Sequence, residues 1–130
     1  MKFSKEMLKI QLDLKSLGYS NVVVPHNTEK YASNELGEET HNDSANNKIE
    51  KDLIRTYYQE ISSAEAIIIA NYDKNGIANY VGGNSFVEAA FAHVLNKKLY
   101  FLFDIPEMIY TDELKALQPI ILNGDLKMIK

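Results

Sequence analysis

The chain alternates short apolar runs with longer segments of helical periodicity, and this alternation restricts its fold more than any other feature. Each apolar run is three to five residues long and is typical of a buried strand. Strands that alternate with helices predict a parallel sheet with helices on both faces. We therefore expect an α/β fold, a three-layer α/β/α arrangement with a mainly parallel, flavodoxin-like sheet of four strands. The predicted strands cover 22–24, 66–70, 99–103 and 120–122, and the predicted helices cover 3–17, 49–61, about 85–95 and a short segment that begins at 111–113.

The predicted order begins with a helix, whereas flavodoxin-like chains usually begin with a strand that lies at the centre of the sheet. The usual first strand is therefore missing from the predicted set. Three explanations stay open: the sheet is reordered, a neighbouring chain fills the gap, or the gene product begins before Met1.

Composition restricts the class of protein further. A chain of 130 residues is expected to form one domain, 1–130, and it has no cysteine for disulfides or thiolate metal sites. The net charge of −4 gives no general attraction to nucleic acid. The charged N-terminus is unlike a signal peptide, and no apolar run is long enough to cross a bilayer. We expect a cytoplasmic protein without a membrane or nucleic-acid partner, in which the polar stretch 26–47 is a lid or a flexible loop.

Polar side chains follow the predicted strand 66–70, where ligands bind in open α/β sheets. Asn71, Tyr72 and Asp73 come first, and Tyr80 follows a turn predicted at 75–76. Asp73 is a candidate general acid or a hydrogen-bond acceptor for a base or sugar, and Tyr80 a candidate stacking partner for a planar ligand. The structural alternatives are a turn residue for Asp73 and an aromatic side chain packed on the core for Tyr80.

A glycine-bearing turn then leads into the third predicted helix. Gly82, Gly83 and Asn84 allow a ligand to approach the backbone, next to a helix N-terminus that favours anions. Glu88 is the carboxylate of this segment. Ser85 and Glu88 also have the spacing of a capping box, with Ser85 as N-cap, and that interpretation alone would explain both residues.

Other polar residues carry weaker signals. Asn123 follows the last predicted strand and Asp104 follows the third, so both are candidates for the same rim of the sheet. His26, His41 and His93 lack the spacing of a metal site, and we predict neither a metal nor another cofactor.

The stretch from 64 to 102 resembles the nucleoside 2-deoxyribosyltransferase superfamily. That family pairs an Ala-Asp-Ala strand opening with a glycine-containing loop, a helix of the type Glu-x-(Ala/Gly)-x-Ala and a Gly-Lys-Pro-like lead into the next strand. The corresponding segments here are Ala64-Glu65-Ala66, Gly82-Gly83-Asn84, Glu88-Ala89-Ala90-Phe91-Ala92 and Asn96-Lys97-Lys98.

The resemblance implies an activity on a nucleoside or nucleotide. It implies that Glu88 is the nucleophile that attacks C1′ of a 2′-deoxynucleoside and forms a deoxyribosyl-enzyme. A second base or a water molecule then takes the sugar, so the enzyme is a transferase or a hydrolase. A related branch of the family hydrolyses deoxynucleoside 5′-monophosphates.

Two other hypotheses stay open. The chain is a non-catalytic nucleotide-binding module on the same scaffold, or it is an assembly protein whose missing strand comes from a partner or a second copy. A gap in a parallel sheet favours association, because such sheets are normally covered, so we expect a homo-oligomer.

Overall fold

A computed structural model describes residues 4–19, 21–22 and 52–129, and its contacts divide the chain into two units, Met1–Lys51 and Asp52–Lys130. In the first unit, helix α1 spans Ser4–Ser16, as predicted from its apolar periodicity. Gly18, with a positive φ of 103°, ends the helix, because a left-handed residue closes the last turn. The predicted loop 26–47 and most of the predicted strand 22–24 lie outside the described residues, and the single domain stays a prediction.

The second unit contains alternating helices and strands. Helix α2 spans Leu53–Ser63, α3 spans Gly83–Val94 and α4 spans Thr111–Ala116. Strand β1 spans Ala66–Ile69, β2 spans Lys98–Phe101 and β3 spans Ile120–Ile121, followed by a short 3₁₀ helix, Leu126–Met128. The helices and strands predicted for this part of the chain are all present, with ends that differ by a few residues.

The three strands form one sheet in the order β1–β2–β3, and both pairings are parallel. Ala66 lies opposite Lys98 and Ile69 opposite Phe101, while Ile121 continues the row beside Phe101. A parallel sheet whose strands are connected through helices confirms the α/β class. The described residues contribute three strands to it.

The core of the second unit lies between the sheet and its helices. Phe101 is completely buried, and in β2 both Leu99 and the alternate residue Tyr100 are buried, so both faces of this strand are covered. Helices α2 and α3 also touch each other through Tyr58 and Phe91, whose rings meet edge to face with centroids 5.4 Å apart. The main buried cluster consists of Ile61, Ile69, Val81, Ala89, Ala92, Leu99, Phe101 and Leu114.

Within the described ranges, none of the helices combines the length and the apolar character needed to cross a membrane.

Candidate functional site

Asn71 holds the carboxyl ends of β1 and β2 together. Its side chain is completely buried. The amide donates to the carbonyl oxygens of Phe103 at 2.9 Å and Asp104 at 3.0 Å, and its oxygen accepts from the Phe103 N–H at 2.8 Å. These bonds satisfy backbone groups that the sheet leaves unpaired where the strands diverge. Asn71 therefore fixes the backbone at the carboxyl ends of the two strands, next to the other candidate residues. Its direct contact with a ligand stays a prediction.

Between β1 and α3 the chain forms a tight hairpin loop. Lys74 and Ile77 exchange two backbone hydrogen bonds, of 3.0 and 2.9 Å, around Asn75 and Gly76. Both turn residues have positive φ, 55° and 73°, which is the geometry that an Asn-Gly pair favours in a two-residue hairpin turn. The turn predicted at 75–76 is confirmed.

Asp73 and Asn79 close the base of this hairpin loop. One carboxylate oxygen of Asp73, Oδ1, accepts the backbone N–H of Asn79 at 2.9 Å. A second bond joins the Tyr80 N–H to the Tyr72 carbonyl at 3.0 Å. Asp73 is thus the turn-stabilising residue that the structural alternative describes, while its exposed carboxylate keeps a second oxygen for other partners.

A cleft of about 440 Å³ opens at this edge of the sheet, lined by Tyr72, Asp73, Asn79 and Phe103. The Tyr72 and Phe103 rings meet at 66° with centroids 5.7 Å apart. The two contacting rings give the cleft an aromatic surface with one carboxylate and one amide beside it, which suits a flat ligand that carries hydrogen-bond donors. The structure thus brings Tyr72 and Asp73 together. It adds Asn79 and Phe103, which no sequence pattern had marked, since Phe103 reads as the end of an apolar strand.

Helix α3 begins three residues earlier than the capping-box interpretation requires. Its N-cap is Gly82, and the Phe86 N–H donates to the Gly82 carbonyl at 2.9 Å. Ser85 is therefore the third residue inside the helix and makes no capping hydrogen bond at its N-cap. The capping-box interpretation is wrong, because the helix already begins at Gly83 and Ser85 lies inside it. Glu88 accordingly lies in the second turn and is not explained as a cap.

The lack of a side chain at Gly82 leaves room for the Tyr80 ring. A Cβ atom at Gly82 would lie 3.3 Å from Cε1 of Tyr80, whereas one at Gly83 would meet nothing within 4 Å. Tyr80 is half-buried, and the Lys74 ammonium lies 5.9 Å from the centre of its ring. The glycine turn therefore packs closely against Tyr80 at Gly82, and space for a further group remains next to Gly83.

Glu88 lies on the side of α3 that faces α2. It precedes Phe91 by one turn, and Phe91 contacts Tyr58 of α2. Burial raises the pKa of the Glu88 carboxyl from 4.5 to about 7, and the negative charge of Glu60 on α2 adds to the effect. Because the charged form is disfavoured, Glu88 changes its protonation state near neutral pH, as acid–base carboxylates of enzymes do. Glu60 is exposed and had no signal in the sequence.

Tyr110 ties the loop after β2 to the start of α3. Its hydroxyl donates to the carbonyl oxygen of Val81, and its ring stacks on Phe86 with centroids 4.7 Å apart and planes 8° from parallel. Burial, with a smaller contribution from the Tyr80 phenol, raises the pKa of Tyr110 above its ordinary value, so the hydroxyl stays protonated and keeps donating. This contact, which no sequence pattern indicated, fixes the approach of the glycine turn to the helix that carries Glu88.

The remaining predicted positions are more dispersed. Asn84 is exposed in the first turn of α3, and Asn123 is exposed in a turn after β3, with a φ of 53°. The next residue, Gly124, packs against Phe103: a Cβ there would lie 3.2 Å from the Phe103 ring. Glu88 is not among the described side chains that line the cleft. The cleft and Glu88 are therefore two features, both adjoining the segment between β1 and α3.

Potential metal ligands are scattered. In the parts of the chain that the structure covers, no three His, Asp or Glu side chains are grouped as a metal site. His93 is exposed in the last turn of α3, while His26 and His41 fall outside the described residues.

Comparison of the chain with protein-family models, with curated proteins and with solved structures finds no match.

Proposed function

We propose that the protein cleaves or transfers the N-glycosidic bond of 2′-deoxynucleosides or 2′-deoxynucleotides, with Glu88 as the nucleophile. The observation that carries the proposal is Glu88 itself. It is half-buried in the second turn of α3, shortly after the Gly82-Gly83 turn, with a pKa raised to about 7 and no capping role. A carboxyl group whose charged form is disfavoured lowers the stability of the fold, and a catalytic role accounts for its presence. As a nucleophile Glu88 acts in its ionised form, which predominates above about pH 7. The resemblance of residues 64–102 to the deoxyribosyltransferase superfamily supplies the reaction.

The reaction proceeds in two balanced steps. The ionised Glu88 carboxylate attacks C1′, a C1′–O bond forms, and the C1′–N bond breaks as the nucleobase leaves with a proton from a general acid or from water. Water or a second base then attacks C1′, regenerates the carboxylate and gives up a proton. Hydrolysis and transfer differ only in this second acceptor.

The cleft supports a role in holding the base. Tyr72 and Phe103 offer apolar ring surfaces, and the free oxygen of Asp73 accepts a hydrogen bond from a ring N–H or an exocyclic amine. Asp73 is also the candidate acid that protonates the leaving base. Tyr80, Gly83, Asn84 and Asn123 remain proposed contacts around the same rim.

The proposal is tested by incubating the full chain with the four 2′-deoxynucleosides and their 5′-monophosphates, and measuring free base by chromatography. Glu88→Gln keeps the size of the side chain and removes the nucleophile, so release is expected to fall at least about a thousandfold. Glu107→Gln, at an exposed position outside the matched motifs, is the matched control and should leave release unchanged. Equal silence of the wild type and Glu88→Gln on every substrate would refute the proposal.

A non-catalytic nucleotide-binding module is the second candidate. It is favoured by one observation, namely that the cleft is formed without Glu88. It predicts that nucleotides raise the melting temperature of the chain without turnover. Asp73→Asn keeps an oxygen for the Asn79 N–H but removes the charge, so affinity should fall about tenfold or more. A panel of nucleotides that gives no shift in melting temperature would exclude this candidate.

We further propose that the three observed strands belong to a four-stranded, flavodoxin-like sheet in a cytoplasmic homo-oligomer. The order β1–β2–β3 matches the last three strands of the flavodoxin-like order 2-1-3-4-5. Among the described residues, β1 lies at one edge of the sheet, and in the flavodoxin-like order the place beside it belongs to the usual first strand, which we propose a second copy of the chain supplies. Sedimentation analysis is expected to show an oligomer, and a stable, folded monomer would contradict this proposal.

A further inference from the structure

We propose that Asn75 is a site of spontaneous deamidation and that Asn123 is protected. These are the two asparagines of the chain that precede a glycine. Both are exposed, and both stand in left-handed turns, with φ of 55° and 53°. The two Asn-Gly pairs therefore match in exposure and backbone region, and the hydrogen bonding and packing of the following glycine distinguish them.

The chemistry needs water as its only co-reactant. The backbone nitrogen of the glycine loses its proton and attacks the side-chain carbonyl carbon of the asparagine. The new C–N bond closes a five-membered succinimide, and the side-chain nitrogen leaves as ammonia. Water then opens the ring at either carbonyl, which yields aspartate or isoaspartate and adds one negative charge to the protein.

The backbone N–H of the glycine, whose nitrogen is the nucleophile, is hydrogen-bonded at Gly124 and not at Gly76 among the described residues. The Gly124 N–H donates to the carbonyl oxygen of Leu102 at 2.8 Å. The Gly76 N–H makes no hydrogen bond with any described residue, since the bonds that close its turn belong to Lys74 and Ile77. Attack by the Gly124 nitrogen must first break a backbone hydrogen bond, and attack by the Gly76 nitrogen need not.

The packing around the two glycines also favours deamidation at Asn75 over deamidation at Asn123. Gly124 is confined by the Phe103 ring, which would lie 3.2 Å from a Cβ at that position, whereas nothing lies within 4 Å of the equivalent point at Gly76. Succinimide formation requires rotation of the backbone between asparagine and glycine. The ring beside Gly124 resists that rotation, whereas no such neighbour stands at the equivalent point of Gly76, where the two bonds between Lys74 and Ile77 are the restraint.

Deamidation at Asn75 would alter the candidate site. Isoaspartate lengthens the backbone inside a turn that closes through only two bonds, those between Lys74 and Ile77. The hairpin loop ends at Asn79, which lines the cleft and whose backbone N–H donates a hydrogen bond to the Asp73 carboxylate. A new negative charge also appears two residues from Asp73. In the modified chain the residues that line the cleft are therefore expected to be less well ordered, whichever ligand the cleft binds.

The test is a time course on the intact, full-length chain in warm, mildly alkaline buffer, followed by proteolysis and mass spectrometry that separates asparagine, aspartate and isoaspartate peptides. One backbone hydrogen bond corresponds to about a two- to tenfold difference in rate, so Asn75 should deamidate faster than Asn123 by at least that factor. The same time course in denaturant is the control, in which the two rates should converge.

Two results would overturn the proposal. One is an equal rate at both positions in the folded chain, and the other is a ratio that denaturant leaves unchanged, which would assign the difference to local sequence. The experiment measures no enzymatic activity, so its outcome is independent of the proposed function.

Discussion

Replacing Glu88 by glutamine should stabilise the protein above neutral pH and leave its stability unchanged in acid. Below the unfolded pKa of 4.5, Glu88 is protonated in both states and resembles glutamine. Between 4.5 and about 7 the unfolded chain loses the proton while the folded chain keeps it. The folded state then binds more protons than the unfolded state, so the free energy of unfolding falls as pH rises. Above about 7 the full penalty is present.

The size of the effect follows from the two pKa values. Each unit of pKa difference is about 1.4 kcal/mol, so the shift from 4.5 to about 7 corresponds to at most about 3 kcal/mol. Glutamine is neutral at every pH and avoids this penalty. Most substitutions destabilise, so a stabilising change of this size at a buried position would mark a carboxylate retained for a purpose other than folding.

Urea denaturation of the full chain and of Glu88→Gln, at a series of pH values from acid to mildly alkaline, measures the difference directly. The expected gain grows from near zero to about 2–3 kcal/mol as pH rises. Glu65→Gln, at an exposed position, should change stability by less than about 0.5 kcal/mol throughout. A Glu88→Gln variant that is less stable than the wild type in alkali, or a difference that does not vary with pH, would refute the reasoning.

Three further predictions concern the surroundings of the site. Glu60→Gln removes the negative charge that raises the pKa of Glu88, so the pH dependence of stability should move to lower pH; an unchanged midpoint in the same titration would contradict this. Asn71→Ala deletes three hydrogen bonds in a buried place and should lower the free energy of unfolding by about 3 kcal/mol, and a loss below about 1 kcal/mol would show that other groups hold the strand ends. Tyr110→Phe keeps the ring and loses only the bond to Val81, so it should destabilise by about 1 kcal/mol, whereas Tyr110→Ala should cost about 3 kcal/mol or more; equal losses would mean that ring stacking contributes little.

The helices and strands of the second unit were predictable because their signals are local. Alternation of apolar runs and helical periodicity gave β1, β2 and β3 and the helices between them, and the Asn-Gly pair at 75–76 gave its turn. These features depend on side-chain pattern and backbone preference, which the sequence contains in full.

The contacts that shape the candidate site were not predictable, because they join residues distant in the chain. Asn71 reaches Phe103, and Tyr110 reaches Val81, across separations that no local pattern encodes. The capping-box prediction failed because the helix begins at Gly83, a residue type with low helix propensity, before it reaches Ser85. The position of Glu88 was visible in the sequence, while its raised pKa depends on burial and on Glu60.

The role of Glu88 as the nucleophile is tested by a search for the covalent intermediate. The chain is incubated with a 2′-deoxynucleoside or its 5′-monophosphate, quenched in acid and digested, and the peptide that contains Glu88 is measured by mass spectrometry. A deoxyribosyl adduct on Glu88 that is absent from the Glu88→Gln variant is the result that our account predicts. Release of free base with no adduct on that peptide, and at the same rate in Glu88→Gln, would contradict it.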